Sequence, residues 1–68
     1  MRYGVVIEKA EHNFSAYVPD LPGCVATGQT VDEVEREMRE AIRFHVEGLR
    51  NAGLPVPAST TICDYVEA

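Results

Sequence analysis

Positive charge is scarce in this chain: six lysines and arginines stand against eleven aspartates and glutamates, a net charge of -5. Phosphate binding needs a concentrated basic footprint, so the composition argues against a nucleic-acid surface. Four of the six bases, Arg36, Arg39, Arg43 and Arg50, fall in one predicted helix among Glu33, Glu35, Glu37, Glu40 and Glu47. The spacings Glu35–Arg39, Glu33–Arg36 and Glu47–Arg50 suit intrahelical ion pairs and a solvated face. An acidic chain of this kind fits a basic protein partner, where charge complementarity speeds encounter. Long apolar runs are missing too, so neither a membrane span nor a signal peptide is expected, and the expected location is the cytoplasm.

Cysteine is limited to Cys24 and Cys63, too far apart for a CxxC metal or redox motif, and free thiols are expected. His12 and His45 have no second ligand at metal spacing, so neither a metal nor a cofactor is assigned. Sixty-eight residues make one domain, residues 1–68, without repeats or low-complexity runs. A domain this small buries only about 60% of the surface its unfolded chain exposes, which favours self-association or a bound partner as added stabilisation.

What is present organises around Asp20-Leu21-Pro22-Gly23-Cys24. Pro19 and Pro22 each set φ and remove a backbone donor, and Gly23 admits a positive φ. Leu21 and Cys24 are apolar within the turn, so the corner is expected to fold back on the core. Before it, Arg2–Glu8 puts Tyr3, Val5 and Ile7 on one face of a strand, and Phe14–Val18 resumes the alternation after a polar turn. After it, Val25-Ala26-Thr27 forms a short third strand that Gly28 ends.

Thr30 with Glu33 makes a capping box, and Val31, Val34, Met38, Ala41, Ile42, His45, Leu49 and Ala52 follow as one helical stripe. Gly53 suits a left-handed helix terminus and Pro55 forbids continuation. Thr60–Val66 is rich in β-formers and reads as a fourth strand. Such a helix is ~33 Å long, whereas a seven-residue strand spans only ~23 Å, so its C-terminal turns overhang the sheet. The expected architecture is an α+β two-layer sandwich, β-β-β-α-β, with sheet order 3-2-1-4 and the helix on one face. Phe44, off the stripe, and Val46 lie on the overhanging turns, and a homodimer or higher oligomer through them is expected.

The run Phe14-Ser15-Ala16-Tyr17-Val18-Pro19-Asp20-Leu21-Pro22-Gly23-Cys24 resembles the HicB-like antitoxin family. So do Gly28-Gln29-Thr30 with Glu33, and Ala41-Ile42 through His45 to Glu47-Gly48-Leu49. The resemblance spans nearly the whole chain. It implies a partial ribonuclease H-like fold and a role in binding and masking HicA, a small basic toxin that cleaves messenger RNA. Members of the family usually carry a DNA-binding segment after this domain. None lies within these residues, so the resemblance is to a stand-alone, single-domain form, and DNA binding is not carried over.

Catalysis is not expected. Ribonuclease H chemistry needs carboxylates converging on divalent metal, one in the middle of the first strand, and Tyr3–Ile7 holds none. Glu8 and Asp64 sit at strand ends. Cys24 with His45 is the one conceivable nucleophile and base, but a histidine on an apolar stripe is more often a packing residue. The expected function is therefore that of an interaction module. Asp20, Leu21 and Pro22 would make the partner contact or build the corner that makes it, with Pro19, Gly23, Cys24, Thr30 and Glu33 as its framework. A small-molecule or regulatory module using the uncovered sheet face, lined by Tyr3, Tyr17 and Tyr65, is the alternative.

Overall fold

The computed structural model describes residues 1–68. Three antiparallel strands, β1 (Val6–Lys9), β2 (Phe14–Tyr17) and β3 (Val25–Gly28), precede one helix, α1 (Val31–Asn51), giving an α+β fold. The sheet has the order β1-β2-β3. Ile7 faces Ala16 and Ala16 faces Ala26, which places these three in one row on one side of the sheet. Val6, Tyr17 and Val25 form the adjacent row, on the opposite side by the strand alternation. Ala16 is buried and Ile7 and Ala26 pack against the core, so the helix covers the first of these faces.

Two expectations about the sheet are corrected. β1 begins at Val6 rather than Arg2, because β2 ends opposite it at Tyr17 and the chain then turns away at Pro19, leaving residues 2–5 no strand to pair with. Thr60–Val66 is not a strand, and the sheet order is not 3-2-1-4. The amides of Thr60 and Thr61 are held by the Asp20 carboxylate instead of a neighbouring strand. The segment still runs close to the start of the chain. A Cβ on Gly4 would stand 2.9 Å from Cys63 Sγ and 3.5 Å from the Thr61 carbonyl oxygen.

The helix is continuous and both its ends are closed. Thr30 Oγ1 accepts from the Glu33 amide at 3.0 Å, satisfying one of the donors a helix start leaves free, while the return bond from the Glu33 carboxylate is not formed. At the other end Gly53, at φ +70°, donates to the Arg50 carbonyl and Leu54 donates to that of Leu49, a Schellman arrangement. None of the three expected ion pairs on the exposed face forms; Arg43 pairs with Glu40 at 3.1 Å instead. Pairs so accessible to water gain little from any one geometry and lose side-chain freedom by adopting it.

Ala16, Val18, Leu21, Cys24, Val34, Met38 and Val46 form the core. Val46 thus corrects an expectation: it is 1% exposed and packs inside, not at an oligomer contact. Val34, Met38, Ile42 and Val46 follow one another every four residues and trace a ridge along the helix. Leu21 and Cys24 of the corner belong to the same buried cluster as Val46, and Val56 of the linker packs against that cluster. Phe44 lies on another side of the helix and is 80% exposed.

Candidate interaction surface

The corner consists of two successive β-turns. Leu21 N–H donates to the Val18 carbonyl at 3.1 Å, and Cys24 N–H donates to the Leu21 carbonyl at 3.0 Å. Each turn has proline at its second position, where the ring supplies the φ that the turn needs. Gly23 occupies the third position of the second turn at φ +84°, the left-handed value of a type II turn. A bond from Val18 N–H to the Cys24 carbonyl, 3.1 Å, closes the base. The excursion is therefore rigid, and it begins and ends between β2 and β3.

Its side chains divide by direction. Leu21 is completely buried and Cys24 nearly so, while Pro19, Pro22 and Gly23 face solvent. Leu21 anchors the corner and offers a partner no surface, so of the residues expected to contact one only Pro22 is displayed outright. Asp20, half-buried, faces along the chain. Its Oδ2 accepts the amides of Thr60 and Thr61 at 3.0 and 2.9 Å, and its Oδ1 accepts the Thr60 hydroxyl at 2.9 Å. The Thr61 amide bond, opposed by partial desolvation and aided by the Thr60 hydroxyl and amide, lowers the carboxyl pKa below its ordinary value. Asp20 is thus a clamp that fastens the segment after the helix to the corner before it.

Sequence reasoning missed this clamp. An aspartate between two prolines and a threonine pair forty residues later carry no shared periodicity, and local turn chemistry accounts for each separately. Tyr3 is likewise placed by a distant bond, donating its hydroxyl to the Pro57 carbonyl at 2.6 Å.

The row Val6–Tyr17–Val25 crosses the uncovered face at the foot of the corner, with Tyr17 42% and Val25 64% exposed. The three tyrosines expected to line a ligand site there are not brought together. Tyr3 packs against the core, Tyr17 lies on the open face, and Tyr65 projects from the C-terminal segment. No three histidine, cysteine, aspartate or glutamate side chains gather at metal-binding distance. Cys24 and His45 share no hydrogen bond, and burial raises the Cys24 thiol pKa, which keeps the sulfur protonated and weakly nucleophilic. Both cysteines are free thiols. No helix is long and apolar enough to cross a membrane.

A rigid turn beside an exposed apolar row suits docking rather than chemistry, and similarity to known proteins points the same way. An uncharacterised 14.9 kDa protein of Haemophilus phage HP1 is 38% identical over 66 residues, covering 97% of this chain. The chain spans 50% of that relative's length. The UPF0150 protein Ta0767 of Thermoplasma acidophilum is 38% identical over 58 residues and is matched over 84% of both chains. A solved chain of a HicA3 and HicB3 toxin-antitoxin complex superposes with a TM-score of 0.76 at 33% identity, covering 88% of this chain and 70% of that one. A family model described as "HicB_like antitoxin of bacterial toxin-antitoxin system" matches residues 3–68, and that span takes in both the double turn and the helix it receives: the chain belongs to the HicB-like antitoxin family.

Proposed function

We propose that this chain is an antitoxin that binds and neutralises a small, basic, messenger-RNA-cleaving toxin of the HicA type, and that it acts by masking, with no catalysis of its own. The observation that carries the proposal is the family match over residues 3–68, joined to the structural likeness to one chain of a toxin-antitoxin complex. An excess of acids over bases supports it, since a basic enzyme is drawn to an acidic inhibitor. The partner surface we propose is the corner with the open row beside it: Pro22 at the apex, Tyr17 and Val25 at its foot, Leu21 as the buried anchor and Asp20 holding the whole in place. Occlusion of this kind needs a preorganised surface, and the two prolines supply one.

The same proposal includes the finer fold reading, a partial ribonuclease H-like unit acting in the cytoplasm. The fold reading is supported by the close approach of Thr61 and Cys63 to Gly4, which sets the C-terminal segment beside the residues that lead into β1.

The test is co-expression with a HicA-type toxin. Growth should be restored and a complex recovered, and Tyr17→Lys with Val25→Lys should abolish both while leaving the melting temperature unchanged. If toxin activity persists beside the folded wild-type chain, the antitoxin reading fails. A complex that tolerates both lysines places the contact elsewhere on the molecule.

A further inference from the structure

The helix does not lie centrally on the sheet. It packs chiefly on β3 and then on β2, which leaves β1 at the margin. In the row Ile7–Ala16–Ala26 the two alanines admit a close helix, whereas Ile7 at the end of the row is bulky. Tyr3, Val5 and Ile7 therefore keep part of their apolar surface open, and a groove of about 640 Å³ runs between them and Met38 and Ile42 of the helix. That is the size of a small-molecule site.

Charge is distributed unevenly around this groove. Three of the six bases in the chain, Arg2, Arg39 and Arg43, line it, against one of the eleven acids, Glu35. Arg39 and Arg43 stand one turn apart on the helix wall, and Arg2 belongs to the opposite wall. Arg43 is held by Glu40 at 3.1 Å, but Arg2 and Arg39 have no carboxylate within ion-pair distance and Glu35 has no cation. With Glu40 counted, three guanidinium groups meet two carboxylates, which leaves one positive charge in excess above an apolar floor. In a chain of net charge -5 this groove is the place that attracts an anion.

We propose that the groove binds a free aliphatic monocarboxylate of medium chain length, its hydrocarbon body on Val5, Ile7, Met38 and Ile42 and its carboxylate at Arg2 and Arg39. A planar carboxylate takes two parallel N–H bonds from a guanidinium, and the excess of one positive charge matches one such group. The floor is aliphatic apart from Tyr3, whose hydroxyl is committed to the Pro57 carbonyl, and Met38 adapts to a flexible chain. Only ten residues line the groove, about a third to a half of one side of a standard protein–protein interface, which favours a small molecule over a protein. The corner and the Tyr17–Val25 row lie outside it, so the site is independent of any partner docked there.

Decanoate, kept below the concentration at which it forms micelles, is the probe. Calorimetric titration of the full chain should give a Kd below about 1 mM. Octanoate and hexanoate should bind progressively more weakly, by several-fold for each pair of methylenes removed. Decylamine and decanol carry the same body with a positive charge and with none, and should bind at least about tenfold more weakly than decanoate. Amide shifts in NMR spectra should centre on residues 2–7 and 38–43. Arg2→Gln with Arg39→Gln should weaken decanoate binding at least about tenfold while the melting curve stays unchanged, since both side chains are exposed. The proposal is overturned if decanoate does not bind at millimolar concentration, if decylamine or decanol binds as well as it does, or if the double variant binds it like the wild type. Shifts centred on Tyr17 and Val25 instead of the groove would also sink it. So would co-sedimentation with phosphatidylglycerol vesicles by a chain that ignores monomeric decanoate, the result expected of a membrane contact.

Discussion

The Asp20 carboxylate accepts the backbone amide of Thr61 at 2.9 Å, joining residues 41 positions apart. This bond ties the turn that leaves the sheet to the segment that returns after the helix. Because the charged form of Asp20 makes the bonds, its pKa lies below the ordinary aspartate value. The folded chain then binds fewer protons at this site than the unfolded chain does. The stabilisation is complete above the unfolded value of about 3.9 and is lost as pH falls through the depressed folded one. Hydrogen exchange should show the Thr60 and Thr61 amides protected at neutral pH. Asp20→Ala should bring both towards unprotected rates without unfolding the helix, and unchanged protection would remove the clamp.

Space decides the glycines differently along the chain. A Cβ on Gly28 would stand 2.8 Å from the Val34 amide nitrogen and 3.1 Å from its Cα, where only backbone movement could relieve it. Gly28→Ala should cost about 1–3 kcal/mol. Gly23→Val, at a positive φ, should cost about 1–2 kcal/mol. Gly48 sits within α1 with nothing near its Cβ position, and Gly48→Ala should stabilise by about 0.5–1 kcal/mol. Denaturant melts of the three variants read the ordering directly, and a stable Gly28→Ala would contradict the close approach.

Val46 and Phe44 are two residues apart on the helix and should respond oppositely to truncation. Removing the buried Val46 side chain with Val46→Ala should lower stability by about 1–3 kcal/mol, since the cavity is walled by the packed core. Phe44→Ser should leave the melting curve within about 0.5 kcal/mol of wild type. Equal losses at both positions would mean that Phe44 is covered in solution.

Thiol labelling separates the cysteines. Cys24 is buried, with its pKa raised by desolvation, whereas Cys63 is exposed. A maleimide added to the native protein should therefore modify Cys63 alone, and Cys24 should react only when the chain is unfolded. Rapid native labelling of Cys24 would show that the corner opens.

The legible parts of this protein are those whose cause is local. Helix spacing from Val31, the hydroxyl of Thr30, Gly53 at the far end and the prolines of the corner all act within a few residues, so α1, its caps and the turn can be read along the chain. The burial of Val46 could not be read so directly, because it depends on a cluster shared with residues distant in sequence, Leu21 and Cys24 of the corner, against which Val56 also packs.

By itself, then, the amino-acid order determined three short strands, a double turn and one amphipathic helix, since each follows from torsional preference or from periodic burial. Only the tertiary structure decided where the last nine residues go. Their β-forming side chains would permit a fourth strand, but the strand they would pair with begins only at Val6, and the Asp20 carboxylate engages the amides of Thr60 and Thr61. A competition for backbone donors between groups forty positions apart is settled by proximity in space, which no local pattern encodes.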